Sequence, residues 1–485
     1  MRRNGARRTL RRVGSTRKIV IAGAGVAAIE ALLALRAQPV ELDIEVVAPG
    51  DSFLYRPVTV AEAFDAGEAR AFELHTILDK HDARRHVDTL VGVDPLQRTA
   101  FTRSGAALPY DDLIIALGAR AVPAVPGALA FRGRPDVAAL REILGDLAAG
   151  RISRLAFALP GESTWPLPLY EMALLATSRV SGSRDQRRIV FVTPEARPLE
   201  LFGARASQAV ADLLEARGVE VHTEALPVAF TDGALRLAGG STVAADRVVA
   251  LPLLRGPRLA GLPSDADGFI PVDAFGRVKG APGVYAAGDA VAFPLKQGGL
   301  ATQQADVIAE TIAAAAGAPV TPRPFRPVIR GLLLTGGEPI YLRAGAQAGR
   351  IESSVASDAA IAAAVGSAGR HHESSSSTRP LWWPPAKIAG RYLAPYLATA
   401  RPYPLARSPL ADLGAPEDLA RDEDATALAL LLADYDARWG DYEMALGALD
   451  SAEAMAGSLP EGYAGKRDEW TRALRRQQQT VQLPG

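Results

Sequence analysis

The 485 residues are too many for a single core and predict two or three domains. Apolar residues make up 48% and charged residues 22%, and 54 Lys and Arg balance 54 Asp and Glu, so the composition is globular and no global charge argues for a nucleic acid partner. No cysteine is present, which excludes disulfides, thiolate metal sites and redox dithiols, and the six scattered His, with His371-His372 in a Ser-rich run, form no metal constellation.

The chain opens on a basic stretch, 1–17, in which Arg2, Arg3, Arg7, Arg8, Arg11, Arg12 and Arg17 precede Lys18, and the first acid is Glu30. A basic run ahead of an apolar one mimics a signal peptide or a twin-arginine signal. Here the apolar run is itself a Gly-rich strand–turn–helix, so the expected reading is a disordered basic tail, with weak attraction to anionic lipid or nucleic acid as the alternative.

Lys18–Ala22 reads as a short buried strand and Val26–Leu35 has helical apolar spacing. Between and across them Gly23-Ala24-Gly25-Val26-Ala27-Ala28 makes G-x-G-x-x-A, the turn that cradles a pyrophosphate on backbone N–H groups and a helix N-terminus. Glu41–Val47 alternates as a second strand. Its end normally carries a ribose-binding acid, and Ala48-Pro49-Gly50-Asp51 offers only a late Asp51. Arg56 follows in Phe53-Leu54-Tyr55-Arg56-Pro57, either in a phosphate site or at the surface. His86–Val93 and Thr99–Arg103 read as a small meander, and Asp111–Leu117 as a buried strand ending at Gly118.

After a helix over 135–150 a second βαβ-like unit begins. Leu155–Leu159, Arg188–Thr193, Val219–His222 and Ala245–Leu251 read as strands, and Leu167–Thr177 and Ser207–Arg217 as helices. Residues 151–267 therefore read as an inserted domain with its own parallel sheet. Val272–Gly288 returns to the first domain and ends in Gly283-Val284-Tyr285-Ala286-Ala287-Gly288-Asp289-Ala290; a helix over Gly298–Ala316 and a hairpin of Val328–Leu334 with Ile340–Arg343 follow. Residues 352–380 are Ser- and Ala-rich, a flexible insertion, and 399–424 a Pro-rich linker. In 425–485 the pattern Tyr435, Trp439-Gly440-Asp441-Tyr442, Ala445, Ala448 and Pro460 is similar to one tetratricopeptide-like helical pair, which must dock on the body, on a second copy or on a partner.

Three ordered motifs, G-x-G-x-x-A at 23–28, Ala116-Leu117-Gly118 and Gly288-Asp289, resemble those of the two-dinucleotide-binding-domain flavoproteins, the FAD/NAD(P)-dependent pyridine nucleotide-disulfide oxidoreductase superfamily. Within it the branch of type II NADH:quinone oxidoreductases, sulfide:quinone oxidoreductases and flavocytochrome c sulfide dehydrogenases is the most similar. The resemblance implies an α/β fold of two Rossmann-like three-layer domains, one inserted in the other, plus the C-terminal α-helical hairpin. It divides the chain into an FAD-binding domain over 18–150 and 268–398 and an NAD(P)-binding-like domain over 151–267. It implies that Gly23, Ala24, Gly25, Ala27, Ala28 and Arg56 hold phosphates, that Leu90 meets adenine, that Ala116, Leu117 and Gly118 pass the ribose, and that Gly288 and Asp289 hold the ribityl chain. Lys296, Gln297 and Gly298 fall beside the isoalloxazine, where a Lys and a helix N-terminus stabilise reduced flavin, and Trp382 or Trp383 falls where the family covers the ring. Lys296, Gln297 and Trp382 are the candidate catalytic residues.

Two departures matter. Without cysteine, sulfide oxidation by a cysteine centre and disulfide reduction are excluded. The inserted domain lacks a second G-x-G-x-x-G and has Leu159-Pro160-Gly161-Glu162-Ser163-Thr164-Trp165-Pro166-Leu167-Pro168 there, with three prolines that remove donors and an acid that repels phosphate. Glu195 reads as a solvated loop acid or as a ribose acceptor. The expected function is an FAD-dependent oxidoreductase passing two electrons from NAD(P)H or another small donor to a quinone-like acceptor. The alternative is a flavin-binding interaction or regulatory protein whose second domain has lost NAD(P) binding. No uncharged apolar segment reaches the ~18 residues of a membrane span, so the expected location is cytoplasmic, with Lys387–Leu397 the one candidate for peripheral contact at the inner membrane face.

Overall fold

The computed structural model describes residues 16–178, 188–345, 375–377, 386–399 and 442–481, with residues 382, 430, 433 and 437. Expectations for the tail over 1–15, for His371-His372 and most of the 352–380 insertion, for Trp383, for the Pro-rich linker and for most of 425–441 lie outside these residues.

In chain order the first unit contains β1 (Arg17–Ala22), α1 (Val26–Arg36), β2 (Leu42–Val47), a hairpin of β3 (Ser52–Leu54) and β4 (Ala71–Glu73) around the short α2 (Thr59–Glu62), then α3 (Leu74–Lys80) and β5 (Ala83–His86). A meander of β6 (Leu90–Asp94), β7 (Thr99–Thr102) and β8 (Ala107–Pro109) leads to β9 (Asp112–Ile115). The chain crosses through β10 (Arg120–Val122) into β11 (Leu129–Ala130), α4 (Val137–Ala148), β12 (Arg154–Ala158), α5 (Leu167–Thr177), β13 (Arg188–Val192), α6 (Ala204–Ala216) and β14 (Val219–His222). A second meander, β15 (Pro227–Thr231), β16 (Ala234–Leu237) and β17 (Thr242–Ala244), precedes β18 (Arg247–Ala250), and β19 (Leu253–Arg255) returns. β20 (Val284–Ala286), α7 (Gly298–Ala315), β21 (Val328–Leu333), β22 (Ile340–Gly345), β23 (Ser375–Ser377), α8 (Leu393–Thr399), α9 (Tyr442–Ala456) and α10 (Tyr463–Val481) complete the described elements.

Two five-stranded sheets carry the fold, β20-β9-β1-β2-β5 and β11-β18-β12-β13-β14, and every pairing in both is parallel. Parallel sheets are covered on both faces. β1 shows it residue by residue: Ile19 and Ile21 join the apolar cluster that contains α1, while Val20 and Ala22 join the one under the first meander. All carboxyl ends in each sheet point to one edge, which is where such folds bind ligands. The two units connect through an antiparallel ribbon of β10 and β19.

β11 lies ahead of residue 151 yet pairs with β18 in the second sheet. A two-residue strand has no periodicity to announce it. Ser375–Ser377, inside the Ser-rich stretch read as a flexible insertion, pair with Tyr341–Arg343 of β22. Serine carries little strand preference of its own, so β22 supplies that pairing. α9 and α10 pack on each other, and Ala445, Leu449 and Trp470 are buried within the main apolar cluster.

Residues 386–393 thread between the helices of both units. Lys387 Nζ donates to both carboxylate oxygens of Glu171 at 2.6 Å, in full burial, and Leu334 N–H donates to Glu171 at 2.9 Å. Burial pushes the Glu171 carboxyl up and the Lys387 ammonium down, each opposed by its partner's charge. Removing one member of such a pair is more damaging than removing both. Lys387→Met should lower unfolding free energy by about 3–5 kcal/mol, and Glu171→Gln combined with it should recover most of that loss. Urea unfolding of the three proteins checks this, and a Lys387→Met variant of unchanged stability would contradict it.

Candidate functional site

The β1–α1 crossing is built for a bound anion. Gly23 sits at φ +122, and a Cβ there would lie 2.2 Å from Ala116 O, so only glycine lets the turn pass the end of β9. Its N–H donates to Val47 O at 2.9 Å. Gly25 caps α1 with extended backbone and no side-chain cap, and a Cβ there would meet nothing within 4 Å. Ile29 N–H donates to Gly25 O at 3.0 Å and starts the helical series, which leaves the N–H groups of Val26, Ala27 and Ala28 aimed out of the helix end. Open space at the positive end of a helix dipole, with three free donors, fits a pyrophosphate.

The other expected residues converge on this edge. Ala116 N–H donates to Ala22 O at 2.8 Å, and Gly118, at φ +69, faces open space. Leu90 is buried with Ala22 and Val47 at the end of β1 and β2. Gly288, at φ +72, donates its N–H to Gln304 Oε1 at 2.8 Å, and a Cβ there would lie 3.2 Å from that of Ala27. Asp289 is half-buried and its carboxylate accepts no hydrogen bond among the described residues. Burial pushes that carboxyl up, and the charges of Lys296 and Arg56 pull it back down. Arg56 is exposed, with no ion pair or side-chain hydrogen bond among the described residues. A cation and an acceptor, both without short-range partners, next to a free helix terminus suit the phosphates and hydroxyls of FAD.

Lys296 is buried, donates to Val291 O and lies 3.7 Å from the centre of the Phe269 ring. Burial lowers it to about 8, against the pull of Asp289 and Asp265. Gln297 caps α7: its Oε1 accepts from Leu300 N–H at 2.8 Å and its Nε2 donates to Arg330 O at 3.0 Å. Its amide thus holds the start of α7 and ties it to β21. Gly298 abuts Ile388, with a Cβ only 2.8 Å from that side chain. Trp382 donates its indole N–H to Ala386 O at 3.0 Å and packs edge-on against Tyr341 at 5.0 Å, which makes it a support for the 386–393 segment. Asp51 is taken by Arg85 at 2.7 Å on the surface.

The equivalent crossing in the second unit differs. The loop from Leu159 to Pro166 ends in α5, whose second residue, Pro168, has no N–H, and Leu169 N–H already donates to Pro166 O at 3.0 Å. Of the first three backbone positions only Leu167 keeps a free donor, so this terminus does not fit a helix-held pyrophosphate. Trp165 packs on Phe202 at 6.0 Å, and Glu162 faces Arg255 at 3.6 Å. Glu195, at the end of β13, is not a solvated loop acid: Tyr170 OH and Thr193 Oγ1 both donate to its Oε2, and burial raises it to about 7. Tyr170 lies 25 positions away in sequence, so no local signal marked the pair.

The sequence matches the pyridine nucleotide-disulphide oxidoreductase family over residues 17–147 and 170–317. The chain belongs to this family. Its members are FAD-dependent and take NAD(P)H, which makes this chain an FAD-dependent oxidoreductase. The unmatched stretch between, 148–169, contains β12 and the divergent loop. The ferredoxin–NAD(+) reductase component of the biphenyl dioxygenase system of Paraburkholderia xenovorans is 34% identical over 297 residues, 58% of this chain and 69% of that protein. An NADH dehydrogenase-like protein of Mycobacterium tuberculosis is 31% identical, over 42% of this chain and 54% of its own length, so the chain spans about half of that relative. Among solved structures, the sulfide:quinone oxidoreductase of Aquifex aeolicus aligns with TM-score 0.59 at 19% identity, over 68% of this chain and 84% of that one. Putidaredoxin reductase in its complex with putidaredoxin aligns with TM-score 0.53 at 20% identity, over 70% and 83%. Identities this low show shared fold alone. No helix among the described residues is long and apolar enough to cross a membrane.

The two glycines separate folding from binding. Gly25→Val should leave melting unchanged and purify colourless, because its side chain enters open space where the phosphates belong. Gly23→Ala should instead disturb the crossing itself and lower the melting temperature. Circular dichroism melting and the flavin absorbance of each variant check both, and a yellow Gly25→Val protein would contradict the cradle.

Proposed function

We propose that this chain oxidises NAD(P)H through bound FAD and passes the electrons to a quinone-like diffusible acceptor. The observation that carries the reading is the meeting of Gly25, Arg56, Asp289 and Lys296 at one sheet edge, with the Asp289 carboxylate unpartnered. When bound there, FAD supplies a two-electron centre. The α1 N–H groups and Arg56 hold the phosphate charge, and Asp289 accepts a hydroxyl hydrogen bond. Gly23 sets the depth of the cradle by its close passage at Ala116.

Lys296 contributes a cation at a poised pKa. Its Nζ is an ammonium below about pH 8 and a neutral amine above it. A fixed positive charge on the flavin side favours negative charge arriving there. Because the chain has no cysteine, no dithiol stands between flavin and acceptor, and the acceptor must collect electrons from the flavin itself. The donor is supported by family membership and by Glu195, held by Tyr170 and Thr193 at the strand end where a ribose hydroxyl is accepted in such folds. The acceptor is supported by the resemblance to quinone reductases; the dioxygenase-system relative makes a ferredoxin the competing acceptor to assay.

Anaerobic mixing with NADH or NADPH should bleach the flavin, and a soluble quinone should restore its colour. A flavin that neither nucleotide bleaches would sink the donor, and one reoxidised by ferredoxin but not by quinone would replace the acceptor. The bleaching rate should fall as pH rises through about 8, where Lys296 loses its proton. Lys296→Met should be slower by on the order of a hundredfold and flat across that range. A wild-type profile that survives in Lys296→Met would remove Lys296 from the mechanism.

A further inference from the structure

At the ribbon between the two units, joined by the Arg255–Glu162 pair to the loop that precedes α5, lies a cavity of about 410 Å³ walled by Arg120, Arg255 and Arg258. Arg120 in β10 and Arg255 in β19 are direct cross-strand partners in the ribbon joining the two units. Like charges in that register repel each other. Arg258 has its backbone in the left-handed region at φ +43, a conformation that a long side chain rarely adopts.

The surrounding loop enforces this placement. Arg258 N–H donates to Gly268 O at 3.3 Å and its guanidinium donates to Ala266 O. A Cβ on Gly268 would lie 2.6 Å from the Arg258 Cγ, and one on Gly256 would lie 2.1 Å from Gly268 O. Residues 255–268 are therefore folded tightly on themselves and present two guanidinium groups to the cavity. Arg255 is already engaged at all three nitrogens, its Nη1 donating to Leu254 O at 3.0 Å and the other two facing acids, so the uncommitted charge is that of Arg120. Arg255 meets Glu162 at 3.6 Å and Asp267 at 3.4 Å, whereas Arg120 is exposed and makes no ion pair or side-chain hydrogen bond among the described residues.

The cavity also has a route to the flavin side. Glu162 belongs to the loop before α5, and in the same loop Thr164 O accepts from Lys296 N–H at 3.4 Å. One short loop thus connects the arginines to the residue beside Asp289.

We propose that this arginine cavity binds the phosphate groups of the dinucleotide donor, with guanidinium forks taking the place of the α5 N-terminus. Guanidinium matches phosphate oxygens two at a time, and its charge needs no free backbone donors. The cavity volume lies within the range of small-ligand sites. The proposal rests on NAD(P)H being the donor.

The test is calorimetric titration of the FAD-loaded protein, whose first cradle is already filled, with ADP-ribose, NADH and inorganic pyrophosphate. ADP-ribose and NADH should bind the wild type and weaken as salt is raised. Arg120→Gln, which breaks no ion pair or side-chain hydrogen bond among the described residues, should melt as the wild type does and bind both at least about tenfold more weakly, with KM for the nucleotide rising accordingly. Unchanged affinity in Arg120→Gln, with the flavin still bleached by NADH, overturns the cavity and leaves the proposed function standing. Arg120-dependent binding of inorganic pyrophosphate by a protein that NADH neither binds nor bleaches overturns the dinucleotide as ligand, and the donor reading with it.

Discussion

Two buried glutamates hold this structure together. Glu30 is the fifth residue of α1 and Glu171 the fifth of α5, so each occupies the same place in its helix. Both are fully buried, and both grip the segment 386–393: Glu171 through Lys387, and Glu30 through the N–H groups of Tyr392 and Leu393 at 2.9 and 2.6 Å. A buried carboxylate is tolerable only when its charge is met. The Asp306 carboxyl, beside Glu30, is raised well above its ordinary value by burial and by the Glu30 charge. Gly390 must be glycine, because a Cβ would lie 2.9 Å from both Glu30 Oε2 and Thr302 Cγ2. Tyr55 OH accepts Ile388 N–H at 2.9 Å and ties in the β3–β4 hairpin that carries Arg56. One short segment thus contacts the helices of both units.

The two helix termini differ in what they offer an anion. α1 presents three free N–H groups in a concavity defined by glycine backbone, which suits a cofactor that stays. α5 has lost most of its donors to Pro168 and to the Leu169–Pro166 bond, and its neighbourhood offers side-chain charge instead. Side-chain guanidinium on the ribbon that joins the units suits a reactant that must come and go. The division of labour is physical: guanidinium contacts at a surface cavity weaken with salt more than the hydrogen bonds of an enclosed backbone cradle.

Local signals carried much of this reading. The strand, glycine turn and helix at 17–36 are legible because periodicity and Gly23 act within a dozen residues, and α5 falls where its apolar run predicts it. Gly288-Asp289 was recognisable for the same reason. What stayed hidden depends on distant partners. The Glu171–Lys387 pair spans 216 positions, and Glu195 reads as a loop acid until Tyr170 is folded over it. The sequence also did not announce that Gln297 caps α7 or that the Trp382 indole bonds Ala386 O. β11 and β23 are too short or too polar to register without the strands beside them.

The central claim is that the glycine cradle of α1 and the Asp289 turn hold FAD. Purified protein should be yellow, and heat or acid should release non-covalent FAD at one molecule per chain. A protein that stays colourless after incubation with excess FAD, or that releases a different nucleotide, would contradict the account.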